Sequence, residues 1–154
     1  MSLASEFGEL LGRQLTDEEL AGVHDKLAVG FAQTLGLRYT KISPDEVRAQ
    51  FEVTRQFCQP MGLLHGGVYA SLVEDVASVA ASWWLGGRAL AVGANNSTDF
   101  IRPLQEGAIV TATATPIHRG RSQQLWQVEI VTEDGKLAAL GKLRLSNIAV
   151  ESQT

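Results

Sequence analysis

One stretch limits the possible folds more than any other. Residues 61–87 read MGLLHGGVYASLVEDVASVAASWWLGG. The middle of this run is apolar or small on every side, the pattern of a helix buried all round. Glu74 and Asp75 sit at its centre. An ionised carboxylate held away from water costs several kcal/mol, roughly, unless it is paired or hydrogen-bonded. A chain that keeps two acids there needs a structural or a chemical use for them.

Around this run the chain divides at turn signals. Thr16-Asp17-Glu18-Glu19 has the form of a capping box, with Thr16 as the cap and Glu19 reaching back. Leu20, Val23, Leu27, Phe31 and Leu35 follow at helical spacing, which predicts one amphipathic helix over residues 16–35. Residues 1–15 read as a loose leader to it. Gly36 closes the helix, and a strand runs on through Ile42. Ser43-Pro44-Asp45 is turn chemistry. Val47, Ala49, Phe51 and Val53 then alternate with polar residues, as in a half-buried strand.

A loop from Arg55 to Leu64 leads into the central helix, which is expected from near Gly66 to a glycine cap at Gly86-Gly87. Four strands follow, over 89–101, 107–118, 122–133 and 136–148, the last two joined at Asp134-Gly135, a strong hairpin signal. One-sided strands joined by tight turns form an antiparallel sheet. A single long helix wrapped by one curved antiparallel sheet accounts for the whole order. This is the α+β hotdog arrangement with an extra N-terminal helix, read as one domain over 1–154 with its core at 36–148.

Composition removes several functions. The 154 residues carry a net charge of −4, against the basic excess that broad nucleic-acid binding requires. Cys58 is the one cysteine, so no internal disulfide can form. The N-terminus has acids where a signal peptide carries basic residues, and no uncharged apolar run reaches spanning length. A cytoplasmic protein without membrane contact is expected. His24, His65 and His118 lack zinc-type spacing, so no metal is expected. Neither G-x-S-x-G nor a phosphate-binding G-x-x-x-x-G-K occurs.

The helix start offers chemistry. Gly66 and Gly67 leave their backbone open to close approach. The first N–H groups of a helix have no internal partner and carry the positive end of the dipole. They can hold an anion or polarise a carbonyl, or the glycines simply turn the chain. Glu74 shares a helical face with Ala70, Ser71, Ala77, Ser78 and Ala81, all small. Its carboxylate could act as base or nucleophile, with Ser78 one turn on to hold it or a water, or it could be a structural acid at a subunit seam. Asp75 points about 100° away and reads as structural. Gly66 and Glu74 are about 12 Å apart along the helix. One chain cannot easily bring both to the same carbonyl, whereas two chains with antiparallel helices can. His118-Arg119-Gly120-Arg121-Ser122 offers guanidinium, hydroxyl and backbone donors suited to phosphate, or is a solvated basic turn.

Three segments carry a family resemblance. QPMGLLHGGVYASLVEDVASVA resembles the hotdog acyl-CoA thioesterases of the phenylacetate-pathway, 4-hydroxybenzoyl-CoA and 1,4-dihydroxy-2-naphthoyl-CoA type, with HGG at the helix start and an acid nine residues after the histidine. DFIRPLQEG resembles their F-x-R-P segment, and HRGRSQQLWQVEIVTEDGKL their CoA-binding turn. The resemblance implies hydrolysis of a CoA thioester. Glu74 would be the catalytic carboxylate and the Gly66 N–H would polarise the carbonyl. Gln59 would sit by the thioester or the water, His65 would support the loop, and Ser78 would help place water. Phe100, Arg102 and Pro103 would line the pantetheine groove. Arg102, Gly120, Arg121 and Ser122 would contact the nucleotide and its phosphates. It further implies no cofactor, and tetramers built from dimers with sites between subunits. Glutamate at position 74 is closer to the aryl-CoA branches. Two other readings compete. A non-catalytic acyl-CoA sensor would lack the acid or carry a DNA-binding segment, and a hotdog dehydratase would carry a His–Asp signature that this chain does not.

Overall fold

A computed structural model describes residues 3–149. Six strands form one antiparallel sheet in the order β1-β2-β4-β5-β6-β3. The strands are β1 (Arg38–Ile42), β2 (Val47–Glu52), β3 (Ala89–Phe100), β4 (Ile109–Arg119), β5 (Gln123–Thr132) and β6 (Leu137–Ala149). The long helix α4 (Gly66–Leu85) packs against the sheet, touching β2 to β6, as the hotdog reading requires. No helix among the described residues is long and apolar enough to cross a membrane.

The sheet presses its alternate side chains onto the helix. Val47, Ala49 and Phe51 of β2, Val110, Ala112 and Ala114 of β4, and Trp126, Val128 and Ile130 of β5 are all fully or nearly fully buried. They meet Leu72, Val73, Val76, Ala77, Ala80, Ala81 and Trp83 from α4. Both ends of α4 follow their residues. His65 caps the start, and Gly86 ends the helix in the left-handed conformation at φ 59°.

The helix is not buried all round. β3 is an edge strand, and the sheet stops short of the face that carries Glu74, which is exposed in the single chain, while Asp75 is half-buried. Ala77 and Ala81 are 0% exposed and belong to the core instead of the open face.

The N-terminal region departs from its expected form in two respects. Residues 16–35 do not make one helix: α2 spans Asp17–Leu27 and α3 spans Phe31–Leu35. Gly30 between them takes φ 59°, which interrupts the helix and turns Phe31 outward to 62% exposure. The capping box itself is complete, with Thr16 N donating to Glu19 Oε2 at 2.9 Å and Glu19 N to Thr16 Oγ1 at 3.3 Å. The segment before it contains α1 (Leu3–Phe7) and a 3-10 turn (Gly8–Leu10). Phe7 packs on Trp83 with ring centroids 5.6 Å apart, and Trp83 Nε1 donates to Arg13 O at 2.8 Å. Tertiary contacts to the end of α4 tie this segment down, and a local pattern cannot reveal them.

Candidate active site

The approach to α4 is a pinned loop. Gln59 N donates to Leu63 O at 2.8 Å, Leu64 N to Leu104 O at 2.8 Å, and His65 N to Phe57 O at 2.9 Å. These bonds fix His65 as the cap. Its Nδ1 accepts from Gly67 N at 2.9 Å and its carbonyl accepts from Val68 N at 2.9 Å. The Gly66 N–H has no acceptor among the described residues. One donor is therefore left at the positive end of a 20-residue helix. Gln59 accepts from Met61 N through Oε1, and its Nε2 has no acceptor among the described residues. Both donors sit at the helix entrance.

Phe100 shows why position 66 is glycine. A Cβ there would lie 2.5 Å from the Phe100 ring. Phe100 stacks on Tyr69 at 5.5 Å between centroids, and Tyr69 Oη donates to Arg102 O at 2.8 Å. Phe100 and Arg102 thus reach the helix start through Tyr69, with Pro103 next in the chain.

Two turns further along, Glu74 opens onto a cavity of about 330 Å³ lined with Ala70, Ser71, Asn96, Thr98 and Phe100. Asn96 Nδ2 donates to Ala70 O at 2.9 Å and Thr98 Oγ1 to Asn96 Oδ1 at 2.7 Å, which fixes β3 against α4. A Cβ at Gly93 would lie 3.1 Å from Glu74 Oε1, so the carboxylate rests on bare backbone. Gly93 and Asn96 are site residues that pattern reading does not reach. A bulge between Gly93 and Asn95 shifts the register just where β3 passes the acid, and the polar run Asn95-Asn96-Ser97-Thr98 was the one signal available.

Ser78 does not line this cavity. It belongs to a second one of about 140 Å³, with Leu27, Asp75, Val79, Ser82 and Trp83. There Asp75 accepts a hydrogen bond from the Tyr39 hydroxyl. Burial pushes the Asp75 carboxyl up, the Tyr39 bond pulls it back, and the Glu74 charge pushes it up again, leaving it above its usual range. Burial and the neighbouring Asp75 charge hold the Tyr39 phenol well above its own. Asp75 is therefore a half-buried, partnered acid, and of the two it is Glu74 that faces open space.

The residues assigned to the nucleotide fall into two groups. Gly120, Arg121 and Ser122 form the turn between β4 and β5, beside Asn147. Arg102 N bonds Ala138 O at 3.0 Å, and Arg102 and Pro103 line a cavity of about 440 Å³ with Asp134 and Lys136. Nine steps of β6 separate Ala138 from Asn147, about 30 Å along the strand. A single chain does not bring Arg102 and Arg121 to one phosphate. Glu74 lies near Gly93, which pairs with Leu145, so it shares the β6 end of the 120–122 turn, while Gly66, Gln59, Phe100 and Arg102 share the other.

Comparison with known proteins places this geometry. The sequence profile of the thioesterase superfamily matches residues 61–139. The chain is 34% identical over 131 residues to the 1,4-dihydroxy-2-naphthoyl-CoA hydrolase of Escherichia coli, covering 85% of this chain and 93% of that one. The crystal structure of a thioesterase from Haemophilus influenzae superposes with a TM-score of 0.82 at 33% identity, over 94% of this chain and 98% of the other. That of S. sahachiroi AziG gives 0.77 at 45% identity, over 79% and 98%.

Proposed function

We infer, from the premise that this chain belongs to the thioesterase superfamily, that it hydrolyses acyl-CoA thioesters by means of Glu74 and the Gly66 N–H. The observation that carries this reading is the open groove along α4. Glu74 opens onto it, and Phe100, which lines it too, packs against Gly66, whose N–H has no acceptor among the described residues.

In this reading the thioester carbonyl accepts a hydrogen bond from Gly66 N, at the positive end of the helix. Glu74 takes a proton from water as the water attacks the carbonyl carbon, or attacks that carbon itself, expelling the CoA thiolate and forming a mixed anhydride that water then opens, the water supplying the proton that the thiolate takes up. The tetrahedral oxyanion collapses, the C–S bond breaks, and the CoA sulfur takes up the proton. Free acid and CoA are the products. Gln59 Nε2 adds a donor at the carbonyl or at the water, and His65 keeps Gly67 N occupied so that Gly66 N alone points outward. Hydrolysis needs only water as second substrate, so the reading calls for no metal or redox cofactor.

About 12 Å separates Gly66 from Glu74 on one helix. We assign each site to two chains, one giving Glu74 and the other Gly66 and Gln59. β3 supports this. It is a 12-residue edge strand whose outer edge pairs with no strand among the described residues, and Leu90, Val92 and Phe100 on it are 48%, 40% and 57% exposed. A two-fold partner across that edge would run its helix antiparallel to this one, matching each carboxylate to the other chain's helix start, and would close the 30 Å gap between the Arg102 and Arg121 groups. Pairing of such dimers into tetramers and a cytoplasmic location, where acyl-CoA is made and used, belong to the same reading.

The acyl group is assigned as aryl, supported by the relative named for 1,4-dihydroxy-2-naphthoyl-CoA. Thiol release from hydroxybenzoyl-, dihydroxynaphthoyl-, phenylacetyl-, short-chain and long-chain acyl-CoA, with wild type and Glu74→Ala, tests the assignment. Turnover peaking on one aryl compound and falling by about 10²–10⁴ in the variant is expected. Wild-type turnover in Glu74→Ala would refute the chemistry, and CoA ester binding without turnover would turn the reading to an acyl-CoA sensor.

A further inference from the structure

Behind the turn at 120–122 runs a chain of side-chain amides, from buried Gln124 to half-buried Asn147. Gln124 is 0% exposed, although its neighbour Gln123 lies in water. Trp126 Nε1 donates to Gln124 Oε1 at 2.8 Å, and Gln124 Nε2 donates to Asn147 Oδ1 at 2.7 Å. Asn147 Nδ2 then donates to Gly120 O at 2.9 Å and to Arg121 O at 3.2 Å, while Asn147 N donates to Ser122 O at 2.8 Å. Three successive carbonyls of the turn are thus drawn to one side chain and its backbone.

This has a geometric consequence. In a planar trans peptide the C=O and the following N–H point in opposite directions. With the Gly120 and Arg121 carbonyls turned inward, the N–H groups of Arg121 and Ser122 face outward. Neither has an acceptor among the described residues. Two adjacent outward N–H groups beside a guanidinium and a hydroxyl make a concavity suited to a phosphate. The amide chain holds that shape. Trp126 fixes Gln124 as acceptor at Oε1, which makes its amino end the donor to Asn147, and this sets the Asn147 amide with its own amino end toward the turn.

We propose that Gln124 and Asn147 are positioning residues that hold the 120–122 turn with its backbone donors aimed at the phosphates of the CoA nucleotide. The proposal rests on the assignment of that turn to CoA, and its test separates the two. The intact protein is titrated calorimetrically with CoA and with pantetheine, which lacks the nucleotide. Asn147→Ala is expected to weaken CoA binding about tenfold and to leave pantetheine binding within about twofold, since only the nucleotide end feels the turn. Trp126→Phe keeps an aromatic ring in the core, smaller than the indole, and removes the first donor while Asn147 stays in place, so it serves as the second variant, with about a threefold loss for CoA alone. Arg121→Ala is the control for the turn itself. If it weakens CoA binding while Asn147→Ala and Trp126→Phe do not, the positioning role is overturned and the turn assignment stands. If Arg121→Ala leaves CoA binding unchanged, the turn assignment fails and the proposal with it. Equal losses for CoA and pantetheine in Asn147→Ala and Trp126→Phe would mark general loosening and also overturn the positioning role.

Discussion

The Glu74 carboxylate rests against the backbone of Gly93, close enough that a Cβ at Gly93 would sit 3.1 Å from Oε1 and 3.7 Å from Cδ. The edge strand therefore shapes the seat of the proposed catalytic acid. Gly93→Ala leaves the sheet pairing with Leu145 in place and pushes the carboxylate by a few tenths of an ångström. Reacting groups displaced by that amount lose rate steeply, so kcat should fall about tenfold, with the melting temperature nearly unchanged. Steady-state kinetics and a melt on the same sample check this. An unchanged kcat would mean that the carboxylate does not act from this seat.

Asp75 gives a pH signature. Its folded pKa is raised, first by burial, above the ordinary 3.8. A raised folded pKa favours the folded state fully below the unfolded value, and that contribution is lost as pH rises through the folded value. Asp75→Asn removes the titration while keeping an oxygen to accept from Tyr39. The melting temperature of the variant relative to wild type should accordingly increase from pH 4 to pH 8. A difference that stays flat or shrinks over that range would contradict the raised Asp75 carboxyl.

Glu19 titrates in the opposite sense. The Arg13 side chain, then the Thr16 backbone N–H, hold its carboxyl down to about 2. Any stability it gives is present above pH 4.5 and is lost as pH falls toward 2. Glu19→Gln should melt closest to wild type at the acid end and fall behind it at neutral pH. The same difference at both ends would assign its role to the capping geometry alone.

The central helix lies close to β6 at Gly141. A Cβ added there would be 2.6 Å from one Val73 methyl and 3.0 Å from Thr98 Oγ1. Val73 is 0% exposed and has no room to yield. Gly141→Ala should destabilise the fold by about 1–3 kcal/mol, seen as a lower urea midpoint at constant slope. A midpoint equal to that of the wild type would mean that helix and sheet separate at little cost.

Local chemistry made much of this legible. The box at Thr16 and Glu19, the glycine ends of α4 and the Asp134-Gly135 hairpin each rest on residues within a few positions of one another, and each is formed. What remained hidden depends on residues far apart in the chain. Glu74 and Asp75 are adjacent, and nothing local says which of them the sheet covers; the edge position of β3 decides it. Ser78 lines the other cavity with Asp75, and part of that cavity's wall is Leu27 of α2, which lies far off in the sequence. The spacing of Gln124 from Trp126, Val128 and Ile130 puts it on the inner face, but nothing local shows that Asn147, on another strand, is the partner of its amide. Phe31 kept the helical period and still lies exposed, since Gly30 breaks the helix before it.

The most direct test concerns the division of one site between two chains. Glu74→Ala and Gln59→Ala chains carrying different tags are co-expressed, and the mixed assembly is assayed on the preferred acyl-CoA beside each variant alone. Each variant alone should lose at least ~tenfold. If Glu74 serves the helix start of its partner, half of randomly paired dimers are mixed and each mixed dimer holds one intact site, so activity should return to about a quarter of the wild-type level. Activity no higher than the mean of the two variants would contradict a shared site and would place the Glu74 and Gln59 of each site in one chain.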